Sequence, residues 1–287
     1  MKTVLIMGAS GNFGSHAATA FEAAGWQVRR YQRGTDIAQA AAGVQVVVNA
    51  LNPPNYKNWA ENVPQIAAMG LKAARASGAT LVVPGNVYNF GIAPAPWGPD
   101  TPQNPQTRKG KLRVQMEQAL KAAADVRVIV LRCGDFINPT AGGAVFDLVL
   151  AKSIAKGKLT ALGDLAAAHS WAYLPDVARA LVGLVEIRAD LPRFADIPFA
   201  GHTLSVNDIA GHYGRILGRP VKVAAFPWWV MRLLSPVWRL ANELLEMRYL
   251  TSHPHWMSDA ALNMYLPEYE PTPVEKMLSA AMPNRRS

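Results

Sequence analysis

Through the first half of the chain, short unbroken apolar runs alternate with longer stretches whose apolar residues recur at helical spacing. VLIM ahead of Gly8, VQVVVNA at 44–50, residues 80–83 and VRVIVL at 126–131 lack the alternation of a half-exposed strand. They predict strands buried on both faces. A further strand is expected at 26–32. Residues 13–24, 62–77 and 107–124 carry helical patterns, and the stretch 85–105, rich in Pro, Asn and Gly, reads as a loop. Strands and helices in turn imply an α/β protein with a Rossmann-type, doubly wound parallel sheet.

After Gly134 the rhythm loosens. A helix is expected at 142–155, a strand at 170–174, a helix from Pro175 to about 187 and a strand at 194–199. From about Gly201 the pattern is helical and irregular, with little strand signal. The expected division is a nucleotide-binding domain of residues 1–135 and about 165–200. About 136–164 and 201–287 would form a smaller, mostly helical substrate or lid domain.

Composition sharpens this picture in three places. Half of the 287 residues are hydrophobic, which is ample for a large core. The single cysteine, Cys133, excludes an internal disulfide; with no signal-peptide pattern, a cytoplasmic location is expected. The net charge of +9 permits anionic partners. Its basic residues are scattered, however, in short clusters at Arg29–Arg30–Arg33, Arg108–Lys109–Lys111–Arg113 and Arg285–Arg286, without a nucleic-acid-binding motif. No run is long enough to predict a membrane span. Residues 226–250 (FPWWVMRLLSPVWRLANELLEMRYL) are rich in Trp, Leu and Met. A pair of lid helices broken at Pro236 is favoured over a membrane-surface helix, because Glu243 and Glu246 interrupt a cationic polar face. A homodimer interface is a further use for so apolar a segment.

The densest chemical signal is GASGNFG at 8–14, between an apolar strand and an alanine-rich helix. Gly8 allows a sharp turn off the strand, Gly11 lets backbone approach a pyrophosphate, and Gly14 lets the helix lie against the sheet. The N–H groups opening that helix would hold phosphates. An ordinary strand-to-helix turn is the bland alternative, disfavoured by the strand-turn-helix context.

With these pieces in order, the chain resembles the extended short-chain dehydrogenase/reductase superfamily, in its NAD(P)-dependent epimerase/dehydratase branch. GASGNFG resembles that family's cofactor loop, VVVNALN its third strand, and AARASGATLVV its long helix and fourth strand. GNVYNFG is similar to its loop before Val-Tyr-Gly, LRCGDFINP to the segment after strand five, and HSWAYLPDVARAL to the strand and helix closing the nucleotide domain. The resemblance implies cofactor contacts at Gly8, Ser10, Gly11, Asn12, Phe13 and Gly14, at Ala50, Leu51 and Asn52, and at Lys109. An NAD-preferring member would place an acid at the end of the second strand. Gln32 and Arg33 stand there instead, so NADP(H) is expected in preference to NAD(H), with Arg33 binding the 2′-phosphate. Arg29 and Arg30 could simply face solvent, and Asp36 could serve a ribose, which keeps NAD as the alternative.

The family's catalytic pattern fails in this chain. The resemblance implies a Tyr and, four residues on, a Lys, with a Ser or Thr in the preceding loop. With Gly110 and Glu117 setting the register, and Val87–Tyr88 matched to Val-Tyr, those positions fall on Lys109, Arg113 and Pro84. A different register pairs Thr107 with Lys111 and has no Tyr either. An ammonium can donate a proton, and Arg113, one turn away, would favour its release. Glu117, one turn further, could pair with Arg113 instead. Tyr88 and Asn86 lie at the carboxyl end of the fourth strand, where open sheets gather ligands. His169 could line the cleft or be structural; Cys133 reads as core, Asp164 as a turn residue and Asp176 as a helix-start residue. His253 and His255 lack metal-ligand spacing, and no metal is expected. The expected function is an NADP-binding, atypical reductase or epimerase-like oxidoreductase acting on an unidentified, apolar small molecule. Lys109 or Tyr88 would handle the proton, with Asn86 and Arg113 positioning the substrate. The alternative is a non-catalytic, NADP-responsive regulator.

Overall fold

The computed structural model describes residues 1–53, 56–140 and 143–283. Residue 142, the expected start of a helix, and the basic pair Arg285–Arg286 lie outside them. Strand and helix follow one another as β1 (Thr3–Met7), α1 (Asn12–Ala23), β2 (Gln27–Arg30), α2 (Ile37–Ala41), β3 (Val46–Asn49), α3 (Trp59–Ser77), β4 (Thr80–Gly85), α4 (Arg108–Ala122) and β5 (Val128–Cys133). The chain continues through β6 (Asp135–Ile137), β7 (Lys158–Ala161), β8 (His169–Tyr173), α5 (Leu174–Glu186), β9 (Phe194–Phe199), β10 (His202–Leu204) and α6 (Val206–Leu217). It ends with β11 (Lys222–Ala225), α7 (Trp228–Leu234), α8 (Arg239–Met247), α9 (Ala260–Tyr265) and α10 (Val274–Ala280).

The apolar runs form one parallel sheet of six strands, ordered β2-β1-β3-β4-β5-β9. Strand geometry alternates side chains between its faces. Val4, Ile6, Ile129 and Leu131 therefore enter a core with α1 and α5, while Leu5, Met7, Val128 and Val130 enter a second core with α3 and α4. Covered on both sides, the strands need no polar face, and a Rossmann-like architecture results.

The smaller unit has more strand than the sequence pattern suggests. β10-β8-β6 form one sheet and β11-β7 another, and α6 and α10 help enclose their core around Phe146, Ile154, Trp171, Tyr213 and Met277. Strands of three or four residues are too short to establish a period, which hid β6, β7, β10 and β11. β8, expected to close the nucleotide domain, pairs with β10 and β6, and β9 supplies the sixth strand of the main sheet. The helix expected at 142–155 is replaced by a single π turn at Phe146–Leu150 and a 3-10 turn at Ile154–Lys156. Phe146, Leu150, Ala151 and Ile154 all reach one core from these short turns, so their helix-like spacing needs no continuous helix. The break expected at Pro236 separates α7 from α8.

Candidate active site

Strand order reverses around β1, where β2 and β3 lie on opposite sides. Ligands of open α/β sheets gather outside the carboxyl ends of the strands at such a point. A cleft of about 510 Å³ opens there, reaching from the turn after β1 to the ends of β4 and β5 and the side of α4.

Glycine is a geometric requirement in the turn. Gly8 has φ +84°, and a side-chain carbon on it would lie 2.8 Å from the Ala50 carbonyl oxygen. One on Gly14 would lie 2.2 Å from the Gly8 carbonyl oxygen. α1 then starts at the cleft with no side-chain cap and no acid in its first turn, leaving its N–H groups suited to an anion. Gly8, Ser10, Gly11, Asn12 and Phe13 line the cleft, as do Ala50, Leu51 and Asn52. Gly14 lies behind the turn and permits its close packing.

Beyond β2, Arg33 reaches the cleft; Gln32 is not among its lining residues. Arg29 donates to the carbonyls of Ala40 and Ala42 at 2.8 and 2.9 Å, and Arg30 pairs with Glu22 at 2.7 Å. Asp36 is not among the residues that line the cleft. Its carboxylate caps α2 by accepting the Gln39 N–H at 2.9 Å, and that bond holds its pKa below the ordinary value.

At the other end stand Arg113, Tyr88 and Asp135. The Arg113 guanidinium lies 5.1 Å over the Trp59 ring. Among the described residues its Nε has no hydrogen-bond partner, and a terminal nitrogen reaches only the Met116 sulfur at 3.9 Å. Burial lowers its pKa. Glu117 does not pair with it: Arg132, wholly buried beneath the cleft, takes Glu117 and Asp196, each at 2.6 Å. Burial opposes the Arg132 charge, but the two carboxylates outweigh it and raise its pKa. Arg132 also donates to the Asn86 carbonyl at 2.7 Å, fixing the loop that carries Tyr88. The Asn86 side chain accepts the Tyr88 N–H at 3.1 Å, so it shapes the loop as well as lining the cleft.

Burial, followed by the adjacent and hydrogen-bonded Tyr56, drives the Tyr88 pKa well above the ordinary value. Tyr88 is therefore a neutral phenol, able to donate but not to act as a phenolate base. Asp135 is the opposite case. Its side chain opens on the cleft, and surrounding protein that limits its hydration raises its pKa to about 6.

Lys109 stands elsewhere than the resemblance implies. It is fully buried, is not among the cleft-lining residues, and its ammonium meets Glu243 at 2.5 Å and Glu246 at 2.6 Å. It also donates to the Glu243 carbonyl at 3.1 Å and lies 4.8 Å from the Tyr56 ring. With its donors occupied by α8, Lys109 fastens the cleft wall from behind and does not face a cofactor or substrate there. His169 is also outside the cleft. It stacks on His255 at 4.8 Å, and burial lowers their pKa values to about 3 and about 4, keeping both rings neutral. Cys133 forms part of the cleft floor, its pKa raised by burial.

The chain matches no protein-family model, and no curated protein is similar to it in sequence. Its structure is similar to solved ones along nearly its whole length. MoeE5 in complex with UDP-glucose and NAD is 17% identical, with a TM-score of 0.74 over 98% of this chain and 97% of that one. UDP-glucuronic acid 4-epimerase from Bacillus cereus, in complex with UDP-glucuronic acid and NAD, is 16% identical, with a TM-score of 0.71 over 98% of each chain. UDP-glucose 4-epimerase from Bifidobacterium longum, in complex with NAD+ and UDP, is 14% identical, with a TM-score of 0.73 over 98% of this chain and 97% of that one. The chain shares the fold of these structures. Sequence reasoning missed Asp135 and Trp59 in this cleft. GDF directly after a buried strand, at the end of a sheet that gathers ligands, was the available signal for Asp135.

Proposed function

We propose that the cleft binds a nicotinamide dinucleotide, NADP in preference to NAD, and that the protein is an oxidoreductase with a non-standard proton donor. The glycine turn at the β1 end, in one cleft with Arg113 and Asp135, carries this reading. Gly8, Ser10, Gly11, Asn12 and Phe13 would hold the pyrophosphate, and Ala50, Leu51 and Asn52 would border the cofactor further along. Arg33 would bind the 2′-phosphate, a role supported by its place in the cleft lining, where Asp36 does not reach. The NAD bound in the similar structures supports the cofactor class. The bound group would supply the hydride acceptor or donor.

The chain's own residues would do the rest. Arg113 keeps its charge and, with no carboxylate partner among the described residues, can hold a substrate carbonyl or alkoxide oxygen. Asp135, titrating near neutrality, is suited to give or take the proton. Tyr88 can donate a hydrogen bond while staying neutral. Trp59, Val63 and Met116 give this end an apolar wall that fits an apolar small molecule. Calorimetric titration should give tighter binding of NADP than of NAD, with that preference lost in Arg33→Ala and binding by either lost in Gly14→Ala. In NADPH oxidation across carbonyl compounds, Arg113→Ala and Asp135→Asn should each lower kcat/KM by about 100-fold or more while cofactor affinity holds. Tighter binding of NAD would overturn the cofactor preference, and full activity in both variants would overturn their roles.

The Lys109 clamp favours a second reading, a non-catalytic NADP-responsive protein. It joins α8 to Tyr56 in the cleft wall, so cofactor binding could move the C-terminal helices. Tight cofactor binding without turnover of any carbonyl compound would favour it.

A further inference from the structure

Residues 226–247 form a helical hairpin whose two sides differ sharply. On the inner side, Glu243 and Glu246 of α8 turn toward Lys109, and Arg108 adds a contact to Glu243 at 3.2 Å. These are the acids that, in sequence alone, argue against a membrane-surface segment. Folding removes them from the outer face.

The outer face is apolar and cationic. Trp229, Leu233 and Val237 are 68%, 70% and 85% exposed, and Trp238 also faces solvent. Trp229, Arg232 and Leu233 lie at i, i+3 and i+4 on α7, so the cation borders the apolar stripe. Arg232 and Arg239 are exposed; Arg239 lies 3.7 Å from Glu243 and donates to the Asn58 side-chain oxygen at 3.2 Å, whereas Arg232 forms no ion pair among the described residues. From 209 to 242 the sequence has no Asp or Glu, whereas Arg215, Arg219, Lys222, Arg232 and Arg239 fall within it.

We propose that this hairpin docks the protein on an anionic lipid surface. Trp229 and Trp238 have the amphipathic rings suited to the headgroup boundary, and Leu233 and Val237 supply the apolar area. Arg232 would meet the lipid phosphates. The embedding is superficial: no helix among the described residues is long and apolar enough to cross a membrane. The cationic rim selects an anionic bilayer over a second copy of the chain, because two such faces brought together would oppose like charges.

The test is co-sedimentation of the full chain with phosphatidylcholine vesicles, alone or mixed with phosphatidylglycerol, alongside sedimentation equilibrium without lipid. The chain should bind the mixed vesicles, bind the neutral ones much more weakly, and be released by salt. Trp229→Ser with Leu233→Ser should lower binding at least about tenfold, given the apolar area lost. Arg232→Gln should lower it about fivefold. Both changes are on exposed side chains, and unchanged circular dichroism would establish that the variants fold. Failure to bind the mixed vesicles, equal binding to both kinds, or variants binding as wild type would each overturn the proposal. A dimer without lipid that Trp229→Ser with Leu233→Ser converts to monomer would assign the face to a second copy and also overturn it.

Discussion

Asp135 is better accommodated by this fold as a neutral carboxyl than as a carboxylate. An unfolded chain titrates aspartate near 3.9, whereas crowding in the cleft raises Asp135 to about 6. The folded state therefore favours the protonated form. That contribution is fully present below about pH 4 and lost as pH rises through about 6. Asp135→Asn should stabilise the ligand-free protein at pH 7 by a few tenths to about 1 kcal/mol, water on the cleft side screening the rest. The gain should vanish below about pH 4. Urea unfolding at both pH values checks this; an equal gain at both would contradict the raised pKa. In turnover, the kcat/KM limb near pH 6 should disappear in the same variant. Gly8 and Gly14 were legible in the sequence because their demands are local. Asp135 was not, since its hydration depends on segments distant in the chain.

The chief difference between sequence and structure at the element scale lies between α4 and α8. Helical spacing put Lys109, Arg113 and Glu117 on one face of α4, but it could not say what stands opposite that face. The structure puts α8 against Lys109, an open cleft beside Arg113, and Arg132 against Glu117. Lys109→Met would leave the buried Glu243 and the half-buried Glu246 without their shared cation, lowering stability by about 3–5 kcal/mol. Adding Glu243→Gln and Glu246→Gln should recover much of that loss in urea unfolding. Burial works against the Glu246 charge, but the side-chain and backbone bonds from Lys109 hold its pKa below 4.5. The clamp's contribution is thus present above the ordinary glutamate range and lost as pH falls through the lowered value, so the Lys109→Met penalty should shrink in acid. A penalty independent of pH would refute the ion-pair account. Activity lost through Lys109 would likewise be recovered by the triple variant, which a proton-donating lysine would not allow.

Across the whole molecule, the C-terminal segment ties the two units together. Leu262, Leu266 and Tyr269 pack on the α1–α5 side of the main sheet, whereas Met277 and Leu278 enter the core of the smaller unit. Between them, Asp176 at the start of α5 accepts both the N–H and the hydroxyl of Thr272 at 2.7 Å. Asp176 is itself buried, and Arg179 joins it at 2.7 Å. Asp176→Ala should lower stability by about 3 kcal/mol. It should also bring forward proteolytic cleavage around residues 266–273 under native conditions. Cleavage unchanged in rate and position would show that the strap does not depend on this carboxylate. The helix-start role of Asp176 was readable from its place after Pro175; its grip on Thr272 spans ninety-six positions and has no local signature.

The sequence by itself determined the parallel sheet, its covered faces and the glycine turn, because unbroken apolar runs and a sterically obligatory glycine are properties of adjacent residues. Through the resemblance, it also implied that Lys109 and Arg113 stand at the usual tyrosine and lysine positions. Only the tertiary structure decided what those two side chains meet. Lys109 is neutralised by acids brought from α8, and Arg113 is left facing a cleft. The same folding step turns Glu243 and Glu246 inward and leaves an apolar, cationic face outside. Charge pairing acts through space, over a few ångströms, between segments more than a hundred residues apart, and no pattern along the chain records it.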